Sequence, residues 1–74
     1  MSQLTKEATV FQLKATDRGQ ILVLLDGRRL LINANCVAIV VRWHPCDAVE
    51  VSDGEEVVNV RNTMYDQEIQ ARWI

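Results

Sequence analysis

A chain of 74 residues carrying a net charge of −2, with 49% of its residues hydrophobic, has room for one globular domain and none for a cofactor domain beside a substrate domain. A domain this short buries only about 60% of the surface its unfolded chain exposes, so its core is small. Aromatics make up 5% of the chain and eight Lys and Arg are interleaved with ten Asp and Glu, which predicts an aliphatic core and disfavours a basic face that tracks phosphates.

The opening residues, "MSQLTKEATVF", lack the basic region and the apolar stretch of ~7–15 residues that an export signal needs. The longest uninterrupted apolar run, Cys36 to Val41, is far below the ~20 residues that span a bilayer. The expectation is a soluble cytoplasmic protein that makes no use of a membrane, with Cys36 and Cys46 as reduced thiols.

Runs of about 6 residues rich in Val, Ile and Leu, separated by turn formers, predict strands at 8–15, 20–26, 28–33, 37–42, 48–52, 55–60 and 67–73. Within this series "ANCVAIVVRW" (34–43) suits a strand and a short helical turn alike, because periodicity cannot decide over so few residues. Asp26-Gly27 and Asp53-Gly54 each lie between apolar runs. They predict two hairpins with type I′ turns, in which both central residues have positive φ. Further turns are expected at Thr16–Gly19 and in "RNTMYDQ" (61–67).

Alternation separates inner from outer faces. Ile69, Ala71 and Trp73 fall on one face of the last strand, with Glu68, Gln70 and Arg72 on the other, and Val49 and Val51 alternate in the same way. By contrast "ILVLL" (21–25) and "VAIVV" (37–41) are apolar on both faces, so each needs a second covering layer. The fold that meets this demand is all-β: a small, strongly bent, SH3-like antiparallel barrel of five to seven short strands in one domain spanning 1–74. A homodimer interface, through these strands or a sheet edge, would cover the remainder.

Reactive side chains concentrate in "RWHPCDAVEV", Arg42 to Val51. Cys36, His44, Cys46 and Asp47 could supply thiolate, imidazole and carboxylate to a metal, yet no Cys-x2–4-Cys or His-x3–5-His pair is present. Cys36 therefore reads as a buried thiol and Cys46 as a loop residue, with no metal site. Nucleophilic catalysis by Cys46 with His44 as base would need a third orienting group and an oxyanion hole, and three neighbours in one tight turn rarely converge. Glycines 19, 27 and 54 stand alone, so no phosphate-binding loop can be written on them. No enzymatic activity and no cofactor are expected. Asp47, Glu50, Asp53, Glu55, Glu56, Asp66 and Glu68 lack a calcium-loop spacing and read as solvated charges that protect edges.

The expected function is that of a protein-interaction or assembly module that associates with itself, with Trp43, His44, Cys46, Asp47 and Trp73 as interaction residues. The alternative is RNA or single-stranded DNA binding through Arg42, Arg61, Arg72 and Tyr65, should the dispersed arginines share a face with an aromatic platform.

A glycine after a hairpin strand, then "LLIN", a variable segment, "RWHPCDAVEV" and the final "ARWI" make residues 19–74 resemble the small uncharacterised bacterial β-barrel proteins that carry a W-x-P-G-D-x-V-x-V core and a closing Asn…Ala-x-hydrophobic strand. Trp43, Pro45, Asp47, Val49, Val51, Asn59 and Ala71 fit that pattern. The resemblance implies a barrel with a corner at the motif and attaches no activity to it. Cys46 stands where the pattern has glycine, and this bears against a positive-φ backbone there.

Overall fold

The computed structural model describes residues 5–54 and 56–74. It is a closed antiparallel barrel of six strands in the spatial order β1-β2-β3-β6-β5-β4. The strands are β1 (Thr5–Thr16), β2 (Gly19–Leu24), β3 (Arg29–Ile32), β4 (Ala48–Asp53), β5 (Val58–Asn62) and β6 (Gln67–Trp73), with a 3₁₀ turn (Ala34–Cys36) and α1 (Val37–Val40) between β3 and β4. After the meander β1-β2-β3 the chain crosses over so that β4 lies beside β1, which is a Greek-key return. A second meander, β4-β5-β6, closes the barrel against β3.

Strand β1 serves both halves: Thr5–Thr9 pair with β4, and Val10–Thr16 pair with β2. The register slips between Val10 and Gln12, leaving Phe11 as the extra residue of a bulge that bends the strand. Inside, Leu22, Leu24, Leu30, Val49, Val60 and Ile69 are buried, as the period of two requires. The doubly apolar run "ILVLL" is resolved by this alternation. Leu22 and Leu24 face the core and Leu25 is exposed in the turn, while on the outer face Val23 is half-buried and Ile21 is buried, as the expected second covering requires for that position.

The other doubly apolar run is not a strand. Residues 37–40 are helical, so of the two backbones left open for 34–43 the short helical turn is the one adopted, and the strand placed at 37–42 is not formed. Asn33 starts the helical segment, its Oδ1 accepting the Asn35 N–H at 3.0 Å while its carbonyl accepts the Cys36 N–H at 2.8 Å. The segment crosses from β3 to β4, so a helical turn can bury Val40 and lay Val37 and Ile39 against the core, whereas a strand there would find no neighbour. The fifth strand is also displaced from the predicted 55–60 to Val58–Asn62. Glu55, a member of the predicted acidic cluster, lies outside the described residues.

Both Asp-Gly hairpins form, but neither uses a type I′ turn. Gly27 has φ 92° while Asp26 is not in the left-handed region. The Gly27 N–H donates to the Leu24 carbonyl at 3.0 Å and the Leu24 N–H to the Arg28 carbonyl at 2.9 Å, the pattern of a three-residue loop with a bulge glycine. Gly54 is needed for space: a Cβ would sit 2.6 Å from the Val57 carbonyl oxygen, which accepts the Gly54 N–H at 2.9 Å. Among the described residues no helix is long and apolar enough to cross a membrane.

Candidate functional site

The segment between α1 and β4 forms one rigid corner. The Asp47 N–H donates to the His44 carbonyl at 3.1 Å, with Pro45 and Cys46 as the central residues and Cys46 at φ 74°. Proline followed by a positive-φ residue is the arrangement of a type II turn, whose second central position favours glycine. Cys46 thus takes a positive φ although it is not glycine, which corrects the expectation against such a backbone there.

Two backbone hydrogen bonds hold the turn in place. The Cys46 N–H donates to the Val10 carbonyl at 2.7 Å and the Val10 N–H donates to the Asp47 carbonyl at 3.0 Å, clamping the turn to the bulge of β1. Relief of the left-handed conformation by Cys46→Gly is worth about 1–2 kcal/mol, and the added freedom of glycine in the unfolded chain subtracts roughly 0.5–1 kcal/mol. The expected outcome is a net stabilisation of about 0.5–1 kcal/mol in urea denaturation. A midpoint at or below that of the parent would show that the Cβ at 46 carries no strain.

Asp47 is 5% exposed, a correction to its reading as one of a set of solvated carboxylates. Its Oδ2 accepts the His44 N–H at 2.9 Å and the Asn62 Nδ2–H at 3.0 Å. Asn62 is wholly buried, and its Oδ1 accepts the Met64 N–H at 2.9 Å. The buried carboxylate thus pairs the His44 N–H while tying the corner to the β5–β6 turn. Trp43 packs in the core at 6% exposure and donates its Nε1–H to Gln67 Oε1 at 3.0 Å.

Asp47 does not orient the imidazole of His44. Asp47 bonds the main chain of His44 and not its ring, whose Nδ1 lies 3.2 Å from the Tyr65 hydroxyl. Cys46 is exposed. Cys36 is half-buried, not the buried thiol expected, and its Sγ accepts the Gln70 N–H at 3.5 Å. Among the described residues no three His, Cys, Asp or Glu side chains are grouped to hold a metal ion.

Trp73 belongs to a different place. It ends β6, six residues beyond the start of that strand at Gln67, roughly 20 Å along it at ~3.3 Å per residue. Trp73 is half-buried and its indole N–H donates to Asp53. The Arg28 guanidinium lies over its ring, 4.8 Å from the centroid, and also pairs with Asp26 at 2.7 Å. The Asp26 carboxyl is held below its usual range, chiefly by the backbone N–H of Arg28.

The arginines of the nucleic-acid alternative are held in dissimilar surroundings. Arg61 is bound to Asp66 at 2.6 Å and to Glu50 at 3.0 Å, and these contacts, Asp66 foremost, raise its pKa. Its cross-strand neighbour on β6 is Glu68, four residues before Arg72, a spacing of roughly 13 Å. Arg42 follows α1, and Tyr65 is engaged with His44.

Asn62 and Gln67 were not foreseen as corner residues. They lie 15 and 24 residues from the side chains they bind, and neither has a local pattern that marks it. No protein-family model, curated protein or solved structure matches the chain.

Proposed function

We propose that the protein is a non-enzymatic interaction module that associates with a second copy of itself through the corner end of the barrel. The observation that carries this reading is the exposure of large apolar side chains around the clamped turn: Phe11 (50%), Met64 (66%) and Tyr65 (45%). Phe11 follows the residue whose carbonyl holds Cys46, and Tyr65 bonds His44, so these side chains belong to one end of the molecule. Val41, also exposed, precedes the corner by two residues.

A turn fixed by hydrogen bonds presents such a surface with little ordering left to do on binding, and Arg42, His44 and Asp66 supply a polar rim. A route through a sheet edge has less support, because in a closed barrel every strand already has two neighbours. The bent β1 shared by both halves of the barrel supports the SH3-like comparison. An isologous contact of two corners is the simplest symmetric solution.

Sedimentation equilibrium over a concentration series tests this. The parent protein is expected to pass from monomer to dimer, and Tyr65→Asp to weaken association at least tenfold, about 1.4 kcal/mol, without changing the thermal midpoint. A mass that stays monomeric up to the solubility limit, or a Tyr65→Asp protein that dimerises like the parent, overturns it.

A further inference from the structure

Away from the corner, a groove of about 630 Å³ runs over β3 and β6 between the β1–β2 turn and the loop that precedes β5. Its size falls in the range of small-ligand sites, roughly 300–1,000 Å³. Leu31, Val37 and Val57 provide apolar surface, and the polar side chains lining it are those of Arg18, Asn33 and Arg72. Among the described residues no carboxylate lines the groove. The Asn33 Oδ1 accepts the Asn35 N–H at 3.0 Å, and its amide Nδ2 hydrogens can donate.

Among the described residues, the charged side chains that line the groove are thus both cationic, and the Asn33 amide adds donors. Arg28 and Arg61 are paired with carboxylates, whereas among the described residues neither Arg18 nor Arg72 takes part in an ion pair. Arg72 stands directly opposite Leu31 in the β3–β6 ladder, so its guanidinium borders the apolar floor and its aliphatic stem extends it.

We propose that this groove binds a small aliphatic carboxylate, with the anionic head between Arg18 and Arg72 and the hydrocarbon body over Leu31, Val37 and Val57. Guanidinium forks match the geometry of a carboxylate, and the apolar floor gives an inorganic anion nothing to bury. A monoanion is favoured over a dianionic phosphate ester because Glu56 lines an adjoining depression that shares Val57 and Arg72. The site is independent of the corner.

The test is an amide NMR titration of the full chain with sodium octanoate, alongside acetate, octylammonium and octyl phosphate. Octanoate is expected to shift the amides of Leu31, Asn33, Val37 and Arg72 saturably, with acetate at least tenfold weaker and octylammonium without effect. Arg18→Gln and Arg72→Gln should each weaken octanoate at least fivefold with an unchanged thermal midpoint, and Tyr65→Asp should leave its affinity as it is. The proposal is overturned by the absence of a saturable shift, by octylammonium binding as tightly as octanoate, or by full affinity in both arginine variants. Tighter binding of octyl phosphate than of octanoate overturns the assignment to a monoanion.

Discussion

Replacing Asp47 by alanine is expected to cost about 3 kcal/mol of folding stability. The substitution strands one Nδ2–H of the wholly buried Asn62, at about 1–3 kcal/mol, and removes the part-buried hydrogen bond of the His44 N–H, at about 0.5–1.5 kcal/mol. A chain of this length is stable by roughly 4–11 kcal/mol at ~0.05–0.15 kcal/mol per residue, so the variant should be partly unfolded well below the parent's melting temperature. Urea denaturation of Asp47→Ala, Asn62→Ala and the double variant separates the network from its members. The double variant should cost less than the two single ones together by about 1–2 kcal/mol, since once Asp47 is gone Asn62 has less left to lose. Strict additivity, or an Asp47→Ala midpoint equal to that of the parent, would mean that the corner is held by its backbone bonds to Val10 alone.

Leu22→Ala should be comparably damaging for a different reason. Leu22 is wholly buried and stands between Leu13 on β1 and Leu30 on β3, so its truncation removes transfer free energy and leaves a cavity, at about 2–5 kcal/mol. Leu31→Ala, on the outer face of the neighbouring strand and only half-buried, should cost less than about 1.5 kcal/mol. The contrast between two leucines on adjacent strands reads the orientation of the sheet directly. Equal costs would place both on a covered face and refute the inner and outer assignment of β2 and β3.

Much of this architecture was legible along the chain. The alternation of Val49 with Val51 and of Ile69 with Ala71 describes inward positions correctly, because a strand's facing repeats every two residues whatever it later pairs with. Both Asp-Gly hairpins occur where the dipeptides stand. Their turn types were not legible: Asp26 keeps an ordinary φ since a third loop residue, Leu25, lets Gly27 alone take the left-handed conformation, and Gly54 answers to the nearby Val57 carbonyl. The choice between strand and helical turn at 37–40 stayed open for a related reason. An apolar run of four or five residues fits either backbone, and what selected the helix was its place over the core between two meanders.

The corner divides in the same manner. Pro45 breaks strand pairing and announces a turn, and Asp47 can cap its own turn through the His44 N–H, three residues away, whereas the positive φ of Cys46 was visible only in the structure. That Asp47 is buried follows from Asn62, fifteen residues later. The pairing of Tyr65 with His44 and the engagement of Arg61 by Glu50 likewise join residues that sequence keeps apart.

By itself, then, the sequence determined an all-β chain, its hairpins, the inner faces of most strands and the location of the corner, each a property of residues within a few positions of one another. Only the tertiary structure decided the closure of β1 on β4 and of β3 on β6, the burial of Asp47, and the placing of Arg18 and Arg72 along one groove. These rest on contacts between distant parts of the chain. Their free energy comes from packing and from satisfying polar groups taken out of water, and no local pattern of residue types encodes which distant partner will do so.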